Sequence, residues 1–230
     1  MGKTIRLNAS DGHPFDAYRA KVQGGAQGGS RGARKGGVVV VQEIFGVNAH
    51  IRDVCDRFAA DGYEAIAPAL FDRVRPGVEL GYDEAGIEEG RELATAVGWD
   101  GPMLDIWAAA HAIQPDGRVG VVGYCWGGTW VWLAGCRLEV GCIAAYYGRL
   151  IVDFLDEKPR CPGIMHFGAE DATIPLADVD KIRAAHPDVP IYVYEGAGHG
   201  FNCDHRDAYL PAAAALALER TLALFAENLK

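Results

Sequence analysis

Hydrophobic residues in this chain come in short blocks whose period alternates between that of a strand and that of a helix. Val38-Val39-Val40-Val41 is an unbroken β-branched run, the pattern of a strand covered on both faces in a parallel sheet. Behind it Ile51, Val54, Cys55 and Phe58 recur at helical spacing, with Asn48 placed to cap the helix and Asp61-Gly62 to end it. Cys55 is therefore expected in the core. Ala65-Ile66-Ala67 resumes a strand that Pro68 stops. The alternation then repeats. Met103, Ile106, Trp107 and Ala110 fall on one helix face, Asp116-Gly117 turns the chain, and Val119, Val121 and Val122 form the next strand. Further strands are predicted over residues 140–147, 163–167 and 191–194, with helices over 177–185 and near the C-terminus, where Leu218, Leu222 and Phe225 share a stripe.

Three stretches break the rhythm. Residues 4–7 and 15–22 read as an antiparallel strand pair around the turn Asp11-Gly12-His13-Pro14. Residues 23–37 are glycine-rich and basic and are expected to form a surface loop; a phosphate-binding loop is excluded because the Lys-Ser/Thr ending and a preceding strand are missing. Residues 71–98 are polar, with Arg73, Arg75 and Arg91 beside Glu84, Glu88, Glu89 and Glu92, and are expected to hold a helix. Repeated strand and helix in this order imply an α/β fold with a mostly parallel sheet, helices on both faces and right-handed crossovers. At 230 residues the chain suits one domain spanning 1–230.

Composition narrows the partners. A net charge of -9 argues against nucleic acid or an anionic membrane surface. No apolar run approaches the roughly 18 residues that a membrane span needs. Six cysteines without a CxxC pair, and an N-terminus without an apolar signal core, point to a reducing, cytoplasmic setting. In that setting the sequon Asn8-Ala9-Ser10 carries no glycan.

The candidate chemistry centres on Gly123-Tyr124-Cys125-Trp126-Gly127-Gly128, which joins a strand to a helix-compatible stretch. This is the form of a nucleophile elbow with a thiol at its tip, where close approach of strand and helix requires glycine. The turn aims the Trp126 amide at the place where an oxyanion would form. Cys125 as a small buried residue in a tight turn is the other reading. A base and an orienting acid are available in Gly196-Ala197-Gly198-His199-Gly200-Phe201 and Gly168-Ala169-Glu170-Asp171, each directly after a strand. Asp171 alone could be a turn or cap carboxylate, and His199 alone a hydrogen-bonded loop histidine. The order nucleophile, acid, histidine is that of the α/β-hydrolases. His199, Cys203 and His205 offer metal donors, but their spacing matches no zinc signature, so neither metal nor cofactor is expected. His166 is expected in the core. His13, His50, His111 and His186 fall in polar or helical-surface contexts and receive no role.

With these stretches in hand, the chain resembles the dienelactone hydrolase family, a carboxymethylenebutenolidase-like branch of the α/β-hydrolases with a cysteine nucleophile. The stretches that carry the likeness are Gln42-Glu43-Ile44-Phe45-Gly46-Val47-Asn48, the elbow, Tyr146-Tyr147-Gly148, Ala197-Gly198-His199-Gly200-Phe201 and Glu219-Arg220-Thr221-Leu222. The resemblance implies Cys125 as nucleophile, His199 as base, Asp171 as its partner and the amides of Ile44 and Trp126 as oxyanion donors. It implies that Glu43 helps deprotonate the thiol, although an ion pair with Arg52 or Arg73 is the other reading of that carboxylate. Phe45, Arg91, Tyr147 and Phe201 are the implied substrate contacts. Well-known members hold a substrate carboxylate with two arginines, one shortly after the histidine. Here Cys203, after Asn202, stands at that position, and Arg91 is the candidate for the other. The expected function is hydrolysis of an activated ester or lactone through a thioester, by a monomer acting on a small molecule. A general carboxylesterase or thioesterase and a non-catalytic binding protein are the alternatives.

Overall fold

The computed structural model describes residues 1–22, 34–114 and 118–229, and the chain forms two compact units, Met1–Gly120 with Leu229, and Val121–Asn228. Most of the predicted loop at 23–37 and the predicted turn Asp116-Gly117 lie outside the described residues.

In the first unit, β1 (Lys3–Asn8), β2 (Pro14–Ala20), β3 (Gly36–Val41) and β4 (Tyr63–Pro68) lie in the order β1-β2-β4-β3. The N-terminal pair is antiparallel, as its turn chemistry predicts, and runs from Lys3 opposite Arg19 to Asn8 opposite Pro14. β3 and β4 are parallel. Gly36 and Gly37, assigned above to the loop, already belong to β3, paired with Tyr63 and Glu64. Ladder bonds need only backbone, so pairing starts before the apolar side chains do. Val38 to Val41 are fully buried. On α1 (Ala49–Ala60), Asn48 caps the helix through its side-chain oxygen, and Ile51, Val54, Cys55 and Phe58 face inward. His50 is also fully buried, contrary to the surface setting expected for it; it stands four residues before Val54 and eight before Phe58, on the same helical face. The polar stretch 71–98 contains α2 (Glu84–Ala96), and α3 (Gly101–Ala112) buries Met103, Ile106 and Ala110.

In the second unit, β5 (Val119–Tyr124, of which Val121 onward belongs to this unit), β6 (Cys142–Tyr146), β7 (Gly163–Gly168) and β8 (Ile191–Tyr194) lie side by side in chain order, with β6, β7 and β8 parallel. They alternate with α4 (Trp126–Arg137), α5 (Leu176–Ala185) and α6 (Pro211–Asn228). The buried stripe of α6 is Ala213, Ala217, Thr221 and Phe225, flanked by Leu218 and Leu222 rather than centred on them. Small alanines let the helix lie close to β6 and β7. His186 is buried as well, its ring 4.6 Å from that of Trp132, so the surface expectation fails for it too. His166 lies in the core as predicted. Among the described residues no helix is long and apolar enough to cross a membrane.

Candidate active site

Each strand of the second unit ends just before one of the candidate residues: β5 before Cys125, β6 before Tyr147, β7 before Asp171 and β8 before His199. Ligand crevices of open α/β sheets lie at that edge. Cys125 occupies the tip of the β5–α4 turn at φ 56° and ψ -119°, a conformation that costs a non-glycine residue about 1–3 kcal/mol and collects at functional sites. The glycines around it are required by contact. A Cβ on Gly123 would sit 2.7 Å from the Gly127 carbonyl oxygen, and one on Gly128 would sit 2.5 Å from that of Tyr146. Trp126 is the first residue of α4, so its amide stands at a helix N-terminus, where the dipole favours negative charge.

The imidazole of His199 bridges acid and thiol. Its Nε2 is 3.1 Å from Cys125 Sγ and its Nδ1 is 2.7 Å from Asp171 Oδ2. A carboxylate can only accept, so Nδ1 carries a proton and Nε2 is the nitrogen turned to sulfur. Asp171 is buried, and its other oxygen accepts from the amides of Thr173 and Ile174 and from the Thr173 hydroxyl at 2.7 Å. Burial works against that charge. The bonds and charge of His199, with the Thr173 donors, nevertheless hold the Asp171 pKa below its usual value. Burial alone would lower the His199 pKa; a negative Cys125 and the bonds to Asp171 and to sulfur push it up to about 10. The site therefore favours a proton on the ring when sulfur is negative.

Thr173 was not singled out in the sequence. Its hydroxyl also lies 3.0 Å from His199 Nδ1, where it accepts, because its own proton goes to Asp171. A threonine two residues after an aspartate is a turn signal that could have found it. Tyr147 and Phe201 are fully buried behind the imidazole. The Tyr147 ring centre is 5.1 Å from that of His199 and 5.4 Å from that of Phe201. Cys203 is buried, and among the described residues His199, Cys203 and His205 form no three-donor cluster.

Glu43, Ile44, Phe45 and Arg91 belong to the first unit. Glu43 follows β3 by two residues and is buried, with Oε2 accepting from the Tyr82 hydroxyl at 3.3 Å. Tyr82 also accepts from Asn48 Nδ2 at 3.1 Å and meets the Phe45 ring edge-on at 4.6 Å. Of the two arginines named as its other possible partners, Arg52 pairs with Glu79, and Arg73 with Asp11 and Asp105. Tyr82, far from Glu43 in sequence, was missed. Ile44 is half-buried, and Arg91 stands exposed on α2.

Comparison with known proteins gives a consistent result. A model of the dienelactone hydrolase family matches residues 24–229. A protein of Synechocystis sp., provisionally named carboxymethylenebutenolidase, is 39% identical over 213 residues, covering 84% of this chain and 86% of that relative. The carboxymethylenebutenolidase of Pseudomonas putida is 33% identical over 228 residues, 95% of this chain and 93% of its own. The crystal structure of a provisionally named dienelactone hydrolase from Klebsiella pneumoniae superposes with a TM-score of 0.81 at 31% identity, covering 99% of both chains.

Proposed function

Because the chain belongs to the dienelactone hydrolase family, we propose that it hydrolyses an activated ester or lactone, of the dienelactone kind, through a thioester on Cys125. It has the α/β-hydrolase fold and is a carboxymethylenebutenolidase-like hydrolase. The observation that carries the mechanism is the 3.1 Å approach of His199 Nε2 to Cys125 Sγ, with Asp171 on the far side of the ring.

His199 takes the thiol proton as sulfur attacks the ester carbon. The resulting oxyanion is met by the Trp126 amide, a donor whose loss in comparable hydrolases costs about 3 kcal/mol. Collapse expels the enolate or alkoxide, which receives the proton from Nε2. Water, deprotonated by the same nitrogen, then attacks the thioester carbonyl and frees the acid and the thiol. Sulfur suits substrates whose leaving group departs easily, because a poor one would see the thiolate expelled instead; amides are therefore poor substrates. The family resemblance extends the assignment to the Ile44 amide, to Glu43 in thiol deprotonation, and to Phe45, Arg91, Tyr147 and Phe201 as substrate contacts.

One observation favours a second reading. Buried Cys203 stands where the resemblance places a carboxylate-binding arginine, which fits an ester or thioester without a free carboxylate. Turnover of a dienelactone and of p-nitrophenyl acetate separates the two. A higher kcat/KM on the lactone supports the first reading and activity on simple esters alone supports the second. Cys125→Ala is expected to lose at least about a thousandfold on either substrate, and equal activity in the two proteins would remove the nucleophile assignment.

A further inference from the structure

Glu219-Arg220-Thr221-Leu222 is one of the stretches that carry the family likeness, yet the hydrolytic steps give it no part. Thr221 is fully buried on α6, and its hydroxyl donates to the Ala217 carbonyl at 2.9 Å. Its lone pairs are thus left to accept. The Tyr146 hydroxyl lies 2.7 Å away and His166 Nε2 3.3 Å away, so both must donate. His166 is fully buried, which lowers its pKa to about 3 and keeps the ring neutral. With the proton on Nε2, Nδ1 is bare and accepts from the Tyr194 hydroxyl at 2.8 Å. The Tyr194 oxygen in turn accepts from Arg220 Nη1 at 3.1 Å, and that guanidinium lies 4.0 Å over the Tyr192 ring. Counting donors and acceptors leaves this chain a single proton arrangement from Arg220 to Tyr146.

The chain ends where the backbone is strained. The Cys125 amide donates to the Tyr146 carbonyl at 3.0 Å, and the Tyr147 amide donates to the His166 carbonyl at 2.7 Å. Among the described residues, Cys125 and Tyr147 are the two non-glycine positions with positive φ, 56° and 38°. Such conformations persist only where their surroundings over-determine them. Each is bonded to the backbone of one member of the buried chain, and Tyr147 in turn backs the His199 ring. Resting on the reading of Cys125 as nucleophile, we propose that Arg220, Tyr194, His166, Thr221 and Tyr146 form a positioning clamp that fixes the backbone of Cys125 and Tyr147 and so aims the thiol at His199. Thr221 acts through Tyr146 and His166, and is a positioning residue rather than a catalytic one.

The test replaces Thr221 with valine, which keeps its shape and removes its oxygen, and with serine, which keeps the oxygen. Four quantities are read: kcat and KM on p-nitrophenyl acetate, the rate of Cys125 alkylation by iodoacetamide from about pH 5 to about pH 9, and the thermal midpoint. Thr221→Val is expected to lower kcat about 10- to 100-fold with KM changed by less than about threefold, the scale of a small misplacement of reacting groups. The alkylation rate should fall with it, and Thr221→Ser should restore both to within about twofold. A lower midpoint with kcat and the alkylation profile unchanged would assign Thr221 to stability alone and overturn the proposal. Should Thr221→Val not fold, Tyr146→Phe cuts the same chain without stranding a buried donor. Its full retention of kcat and alkylation rate would overturn the proposal equally. Failure of the underlying reading looks different, because Cys125→Ala would then still hydrolyse ester. Alkylation compares variants without needing a substrate.

Discussion

Helix α4 carries a cysteine at each end, and the two sulfurs could hardly be placed more differently. Cys125 precedes its first turn at φ 56°, half-exposed, with an imidazole nitrogen 3.1 Å away. Cys136, in its last turn, is buried in relaxed helix. Burial pushes the Cys136 thiol up to about 12. Cys161, half-buried just before β7, is pushed up to about 11, and Cys142, fully buried at the start of β6, goes higher still. Residue type and helix are shared, and about 16 Å of axis separates the two positions. What differs is a strained backbone, an ionisable partner and access, and these decide whether a thiol is a nucleophile or a small apolar side chain.

Exchanging which end loses its sulfur tests this most directly. Where Cys125→Ala forfeits hydrolysis, Cys136→Ala is expected to keep kcat within about twofold, since a buried neutral thiol contributes packing only. Iodoacetamide at neutral pH should label Cys125 first, with Cys136 and Cys142 labelled only after unfolding. Early labelling of Cys136, mapped by mass spectrometry, would erase the distinction.

A smaller loss should come from disturbing what holds the imidazole beside Cys125. Asp171→Asn is expected to reduce kcat about 10²- to 10⁴-fold by favouring the wrong ring tautomer. Thr173→Val removes one donor from Asp171 Oδ1 and one acceptor from His199 Nδ1, and the amides of Thr173 and Ile174 remain on the carboxylate. A loss of about 3- to 10-fold is expected there, the worth of one hydrogen bond. If Thr173→Val matched Asp171→Asn, the hydroxyl and not the carboxylate would be orienting the ring.

How much of this could be read from the chain follows from the range over which each feature is written. The elbow was legible because its glycines, thiol and helix start lie within six consecutive residues, and the Asn48 cap because it acts over three. The β3 run was legible for the same reason, being four consecutive residues, and Asp171 and His199 were legible because each lies in a short loop directly after a predicted strand. Tyr82 on Glu43 and Thr221 on His166 were not, because hydrogen bonds across 39 and 55 residues leave no period to detect. The α6 stripe was read from its leucines, whereas the helix packs through Ala213, Ala217 and Thr221. Hydropathy weights side-chain size, and close packing here selects smallness.

The last of the expected effects is on stability against pH rather than on rate, and it concerns the buried end of α4. Cys136 ionises near 9 in the unfolded chain and near 12 when folded. Between those values the folded protein holds a proton that the unfolded chain has lost, so its contribution to stability is complete below about pH 9 and falls as pH rises, by up to about 1.4 kcal/mol per unit. His166 mirrors this on the acid side. Buried and neutral down to about 3, it leaves the unfolded chain holding the extra proton below about pH 6.5, so stability falls as pH drops. Denaturant titrations at about pH 8 and about pH 10.5 should show the wild type losing about 1–2 kcal/mol more than Cys136→Ala between them. Equal losses would mean that the Cys136 thiol ionises in the folded protein. Burial would then no longer hold the Cys136 proton, and the contrast drawn between the two ends of α4 would lose its physical basis.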